Sequence, residues 1–321
     1  MRAERAIVVD RQADSLDFEV AVRAGLSRWP RAIPAKFLYD ARGSAIFDAI
    51  CELPEYYLTR TEIAILQGCV TEIAALAGPG RQLVEFGSGS SVKTRLLLDA
   101  LPGVSAYLPI DISGEHLEAA CRRLRSDYPS LAVTPIHADF LDADTLPRLP
   151  DRGAKRLGFF PGSTIGNLEP HEARAFLRNA RQLLGAGGAL VLGADLKKDP
   201  DILHAAYNDS AGVTAAFSLN LLERMNRELD GDFDIGAFEH DASYNQAEGR
   251  IEIYIRSRRA QTVHVAGQRF FLDAGERIHT EYSYKYDLAD IDALAAPSGF
   301  TRSRTWIDPD RLFSVHYLSG A

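Results

Sequence analysis

Several acids, one lysine and a glycine turn carry the chemistry that is legible first. The apolar run Leu83-Val84-Glu85-Phe86 leads into Gly87-Ser88-Gly89-Ser90-Ser91, and a helical pattern with Lys93 near its start follows from Val92 to Ala100. A strand, a glycine turn and a helix N-terminus bring bare backbone and unpaired N–H groups close to a ligand, which suits a nucleotide. The dinucleotide fingerprint G-x-G-x-x-G needs a third glycine where Val92 stands. A phosphate loop needs a Gly-Lys-Ser/Thr run that is missing here. Glu85, two residues before the first glycine, would repel a pyrophosphate and suit a cationic ligand. Asp111 lies 24 residues after Gly87 at the end of a second apolar run, where an acid can accept two ribose hydroxyls. Asp139 and Phe140 follow a third run; the carboxylate would take an adenine amino group while the ring covers the base. Pro161-Gly162-Ser163-Thr164-Ile165-Gly166-Asn167-Leu168 is a glycine-rich loop carrying an amide, placed for an acceptor.

These residues need a frame that aligns strand ends. Strands are predicted at 82–86, 106–112, near 131–137, at 156–160 and at 188–194. They alternate with helices at 59–76, 92–101, 114–127 and 170–184. That order predicts a doubly wound parallel sheet, whose ligands bind beyond the carboxyl ends of the strands. The E-x-G-x-G pattern resembles the first motif of class I S-adenosylmethionine (SAM)-dependent methyltransferases. SAM carries a sulfonium and an ammonium and no phosphate, in keeping with the acid. Beyond residue 195 the pattern changes to helices over 198–229 and an antiparallel meander over 243–286. A helix at 288–296 and strands at 302–307 and 313–318 then complete the sheet. Residues 1–14 read as irregular and 15–28 as a helix ended by Trp29-Pro30.

Composition narrows the classes. The 321 residues are 46% hydrophobic and 25% charged, ordinary for a globular chain. A net charge of −8 argues against a nucleic-acid surface and leaves a small-molecule substrate. No apolar run reaches membrane-spanning length and no signal peptide is evident. Three widely spaced cysteines fit a reducing, cytoplasmic setting without a disulfide frame. The eight histidines show no metal-ligand spacing, so no metal is expected. Asp230-x-Asp232-x-Asp234 lacks the glycine of a calcium loop, and Arg256, Arg258 and Arg259 read as a solvated strand face.

Longer motifs run nearly end to end: Phe37-Leu38-Tyr39-Asp40-Ala41-Arg42-Gly43-Ser44, Leu53-Pro54-Glu55-Tyr56-Tyr57-x-Thr59-Arg60-Thr61-Glu62 and Gly87-Ser88-Gly89-x-x-x-Lys93-Thr94-Arg95. Gly162-Ser163-Thr164-Ile165-Gly166-Asn167, Tyr207-Asn208-Asp209-x-x-Gly212-Val213-Thr214-Ala215-Ala216-Phe217 and Thr280-Glu281-x-Ser283 follow. In these the chain resembles the L-histidine Nα-methyltransferases of ergothioneine biosynthesis. The resemblance implies an α/β class I SAM-methyltransferase (Rossmann-like) sheet formed by 60–196 and 287–321. A second, α+β substrate-binding domain would take 1–59 and 197–286. SAM would contact Gly87, Lys93, Asp111, Asp139 and Phe140, with Lys93 on its methionine carboxylate. Asn167 and Tyr207 would hold the histidine carboxylate, and Tyr56 would line the same pocket. Glu281 and Ser283, with Tyr282 between them, would hold the imidazole by its two nitrogens. The reaction implied is three methyl transfers to the α-amine, giving hercynine and S-adenosylhomocysteine from a monomeric enzyme. No general base is identified, and Tyr39 is the candidate to touch the amine. Ile253 replaces a methionine of the relatives and alters the pocket's shape. The rivals are the same fold acting on another amino acid such as tryptophan, and a non-catalytic SAM or amino-acid sensor.

Overall fold

A computed structural model describes residues 11–88, 92–142, 146, 149 and 153–320. The chain runs through α1 (Arg11–Ser27), β1 (Arg31–Ala32), α2 (Ala41–Cys51), α3 (Leu58–Ala77), β2 (Gln82–Phe86) and α4 (Val92–Ala100). It continues through β3 (Ala106–Asp111), α5 (Gly114–Asp127), β4 (Ala132–Val133), β5 (Ile136–His137), β6 (Arg156–Phe160), α6 (Pro170–Leu184) and β7 (Ala189–Asp195). Then come α7 (Pro200–Tyr207), α8 (Val213–Glu228), β8 (Phe238–Asn245), β9 (Arg250–Ser257), β10 (Gln261–Val265), β11 (Gln268–Leu272) and β12 (Arg277–Tyr284). The chain closes with α9 (Leu288–Ala295), β13 (Phe300–Ile307) and β14 (Phe313–Gly320). It divides into two compact units: Leu58–Lys198 with residues 284–320, and residues 11–57 with Asp199–Ser283.

The first unit is built on one sheet in the order β13-β14-β7-β6-β2-β3-β4, with β5 also paired to β3. β2, β3, β6 and β7 run parallel, while β14 lies antiparallel to β7 and to β13. β2 and β7 are buried along their whole length, as a sheet covered on both faces requires. Leu83, Val84 and Phe86 of β2 and Leu190, Val191 and Leu192 of β7 supply this core. α6 is a strongly amphipathic helix that starts with Pro170 behind a capping box of Glu169 and Glu172 and buries Ala173, Phe176, Leu177, Ala180 and Leu184.

The second unit holds a sheet in the order β1-β12-β9-β8 and a separate β10–β11 hairpin. β9 alternates strictly, burying Ile251, Ile253 and Ile255. α8 lies beside α2 and β8 and buries Phe217, Leu221, Leu222 and Met225. The strand read near 131–137 is two short strands, β4 and β5, and two other regions differ from the sequence reading. α1 begins at Arg11, so 11–14 are helical rather than irregular; residues 1–10 lie outside the described set. The antiparallel region begins at Phe238 rather than 243 and splits into sheet and hairpin.

Candidate active site

In the first unit, parallel pairing brings the predicted strand ends to one edge of the sheet. Ile110 of β3 lies opposite Phe86 of β2, and Asp111 opposite His137 of β5. Asp111 ends β3, and Gly87, Asp139, Phe140 and the 161–168 loop follow strand ends on that edge. Asp111 is held by two backbone donors: Ser88 N–H reaches one carboxylate oxygen at 3.0 Å and Ser113 N–H the other at 2.8 Å. Asp139 accepts the N–H of Leu141 at 3.0 Å. The half-buried Phe140 ring meets Phe86, Phe160 and Phe176 at 6.3, 5.5 and 5.6 Å, edge to face.

Gly87 has φ +75°, and among the described residues a Cβ there would meet Phe140, at 3.9 Å. Gly87 therefore leaves bare backbone beside an aromatic ring. Ser88 is buried and its hydroxyl has no partner among the described residues. An orphaned hydroxyl, bare backbone at Gly87 and a fixed carboxylate fit a ribose-bearing cofactor. Gly89, Ser90 and Ser91 of the motif lie outside the described residues.

Glu85 departs from the sequence reading. It is 2% exposed, and it accepts from the Thr94 hydroxyl at 2.8 and 2.9 Å and from the Tyr107 hydroxyl. Burial pushes its carboxyl up to about 8, while Tyr107, Thr94 and Lys93 pull it down. It is an internal strut under the turn, not a carboxylate offered to a cation.

Lys93 donates to Glu62 at 2.5 Å. Glu62, on the buried face of α3, also accepts the Gly162 N–H at 2.8 and 3.1 Å. The sequence reading gave Glu62 no role; the signal was a lone acid in the apolar stripe of Ile65, Leu66, Cys69 and Ile73. Asn167 ends a short 3-10 helix, Thr164–Asn167. Two tyrosines brace it: Tyr286 donates to the Ile165 carbonyl at 3.0 Å and Tyr284 to Glu169 at 2.7 Å. Gly166 is needed there, because a Cβ would sit 2.7 Å from the Tyr284 carbonyl oxygen. Nearby Asp195 pairs with Lys198 at 2.5 Å and Lys285 at 2.8 Å, and burial draws Lys198 down to about 8.

In the second unit the structure gathers Tyr39, Tyr56, Tyr207, Glu281 and Ser283. Tyr207 and Ser283 share a hydrogen bond of 2.8 Å. The Tyr56 and Tyr207 rings meet edge to face at 6.2 Å, and Phe47 lies 6.3 Å from Tyr56 and 5.5 Å from Tyr39. Burial holds the Tyr56 hydroxyl well above its usual range, with Tyr207, Cys51, Tyr39 and Glu281 adding to it. Tyr56 therefore stays a neutral donor. His240 donates to or accepts from both neighbours of this cluster's frame: Nε2 meets the Tyr207 carbonyl at 2.9 Å and Nδ1 the Ser218 hydroxyl at 2.9 Å. Since a carbonyl only accepts, Nε2 carries the proton.

Tyr282 lies between Glu281 and Ser283 on β12. In β12, Ile278, Thr280, Glu281, Ser283 and Tyr284 are buried while His279 and Tyr282 are half-exposed. The Tyr282 ring lies 3.9 Å from His279 and 3.7 Å beneath the Arg250 guanidinium. Ile253 is buried on β9, and its carbonyl accepts from Thr280 at 3.1 Å. Asn167 is carried by the first unit.

A doubly wound sheet in this order, with its last strand antiparallel beside β7 and these groups at its strand ends, defines a class I SAM-dependent methyltransferase. Residues 18–320 match the family described as "Histidine-specific methyltransferase, SAM-dependent". The chain belongs to that family. It is 43% identical over 308 residues to histidine N-alpha-methyltransferase of Mycolicibacterium smegmatis, covering 94% of each chain. The protein of that name from Mycobacterium tuberculosis is 40% identical, with 96% of each covered. Ergothioneine biosynthesis protein 1 of Neurospora crassa is 31% identical over 90% of this chain and 33% of that one.

Proposed function

We propose that the protein trimethylates the α-amino nitrogen of L-histidine to hercynine, at the entry to ergothioneine biosynthesis. The observation that carries this is the buried set of Glu281, Ser283, Tyr207 and Tyr56, two of whose hydroxyls share a 2.8 Å bond. When bound, SAM supplies a methyl group made electrophilic by its sulfonium. The protein then mainly orients and desolvates.

On the cofactor side, Gly87 offers its bare backbone, Asp111 takes the ribose hydroxyls, Asp139 and Phe140 take the adenine, and Lys93 takes the methionine carboxylate. For histidine, Glu281 accepts one ring N–H, Ser283 serves the other nitrogen, and Asn167 and Tyr207 hold the carboxylate. Tyr56 lines the pocket, its high pKa keeping it uncharged. Tyr39, packed on Phe47 and Phe217, offers a ring face to the amine as it becomes a fixed cation, worth about 1–2 kcal/mol when desolvated. The SAM-binding domain is the unit of Leu58–Lys198 with residues 284–320, and the substrate domain is that of residues 11–57 with Asp199–Ser283. The enzyme acts as a cytoplasmic monomer without a metal. No described helix is long and apolar enough to cross a membrane, and no group of three or more potential metal ligands occurs among the described residues.

Mass spectrometry of purified protein with SAM and L-histidine, with L-tryptophan in a parallel tube, tests the proposal. Trimethylated histidine beside untouched tryptophan is expected. Methylated tryptophan alone would discard the roles given to Glu281 and Ser283, and silence in both tubes would favour a sensor.

A further inference from the structure

Glu62 is a buried acid that the proposed chemistry leaves unused. It is fully buried, and its apolar neighbours on α3 would be matched more cheaply by a leucine. Three features of the first unit accommodate it. Lys93 gives it a charged donor at 2.5 Å. Gly162 gives it a backbone donor, at 2.8 Å to one oxygen and 3.1 Å to the other. Gly193 of β7 leaves it room, since a Cβ there would lie 2.0 Å from the carboxylate. The Lys93 side chain is 17% exposed and that of Glu62 only 1%, so the ammonium stands in front and the carboxylate behind.

We infer that Glu62 is a positioning residue for the cofactor's amino-acid end, acting through the Lys93 ammonium and the Gly162 turn. The inference rests on the reading that Lys93 receives the methionine carboxylate. A lysine has four rotatable bonds and three N–H donors. Glu62 takes one donor and fixes the stem, leaving two donors for a ligand carboxylate. The same carboxylate ties Lys93, after β2, to the turn after β6, so two strand ends that serve the ligand move as one piece. An ordered cation backed by an acid also suits a ligand end that carries both charges, an α-ammonium and a carboxylate.

Two ligands separate this role from plain stability. S-adenosylhomocysteine has the amino-acid end; 5′-methylthioadenosine keeps the nucleoside and thioether and lacks it. Calorimetric binding of each is measured on the wild type, Glu62→Gln, Lys93→Met and the double variant. Lys93→Met is expected to weaken S-adenosylhomocysteine at least about tenfold and to leave methylthioadenosine within about twofold. Glu62→Gln is expected to weaken S-adenosylhomocysteine about tenfold with the same selectivity, and to add little in the Lys93→Met background. Should Glu62→Gln not fold, Glu62→Asp, which withdraws the charge by one methylene, carries the same expectation. Unchanged S-adenosylhomocysteine binding in the Glu62 variants, equal weakening of both ligands, or full additivity with Lys93→Met overturns the inference. If Lys93→Met itself leaves S-adenosylhomocysteine binding unchanged, the reading of Lys93 fails first and the inference falls with it.

Discussion

In the first unit, charged side chains meet one another: Lys93 with Glu62, and Lys198 and Lys285 with Asp195. In the second, hydroxyls and aromatic rings gather near Glu281, with Tyr207 bound to Ser283 and stacked edgewise on Tyr56. The difference follows the ligands proposed for each. A cofactor end with two opposite charges is best met by charges already held in place, because an ordered ion loses little on binding. An imidazole is told from other rings by where its nitrogens lie, and neutral hydroxyls and one carboxylate in fixed positions do that. Parallel strand ends supply the first arrangement, and an antiparallel sheet with tyrosines around it supplies the second.

The contrast is broken most directly at Glu281. Glu281→Ala should lower kcat/KM for histidine at least about a hundredfold, since a ring N–H is left unmatched in a buried site. S-adenosylhomocysteine binding, measured by calorimetry, should not move. Tyr207→Phe removes the hydroxyl that ties Ser283; steady-state kinetics should show the KM for histidine raised about tenfold with kcat less affected. Gly166→Ala forces a methyl against the Tyr284 backbone and should cost about 1–3 kcal/mol, seen as a lower Tm, together with a higher KM for histidine from displacement of Asn167.

Glu85 sharpens the picture of the first unit through pH. Its folded pKa, about 8, lies above the ordinary carboxylate value of 4.5, so the folded state holds a proton that the unfolded chain has released. Its contribution to stability is full below about 4.5 and is lost as pH rises through about 8. Glu85→Gln should therefore gain on the wild type in calorimetric Tm between pH 5 and pH 9. The smallest effect belongs to Tyr282→Leu, which loses the contact with Arg250, about 0.5–1 kcal/mol of stability, and should leave the KM for histidine within about twofold. A large change in that KM would give Tyr282 a part in holding histidine.

Much of the first unit was legible because periodicity and turns agreed: 82–86, 114–127, 156–160 and 170–184 are elements at those residues. β1 was not, since two residues paired to β12 leave no periodic trace. Glu85 was misread because position in a motif does not say which way a strand residue faces. Glu62 was silent because a buried acid on a helix needs its partners, Lys93 and Gly162, to be seen beside it.

Gly193 lies inside β7, where a glycine ordinarily weakens a strand, and it is bare because the Glu62 carboxylate fills its place. The two positions are thus one choice made twice. Across related sequences they should change together: an alanine or larger residue at 193 should accompany a shorter or uncharged residue at 62, and a chain that keeps the acid should keep the glycine.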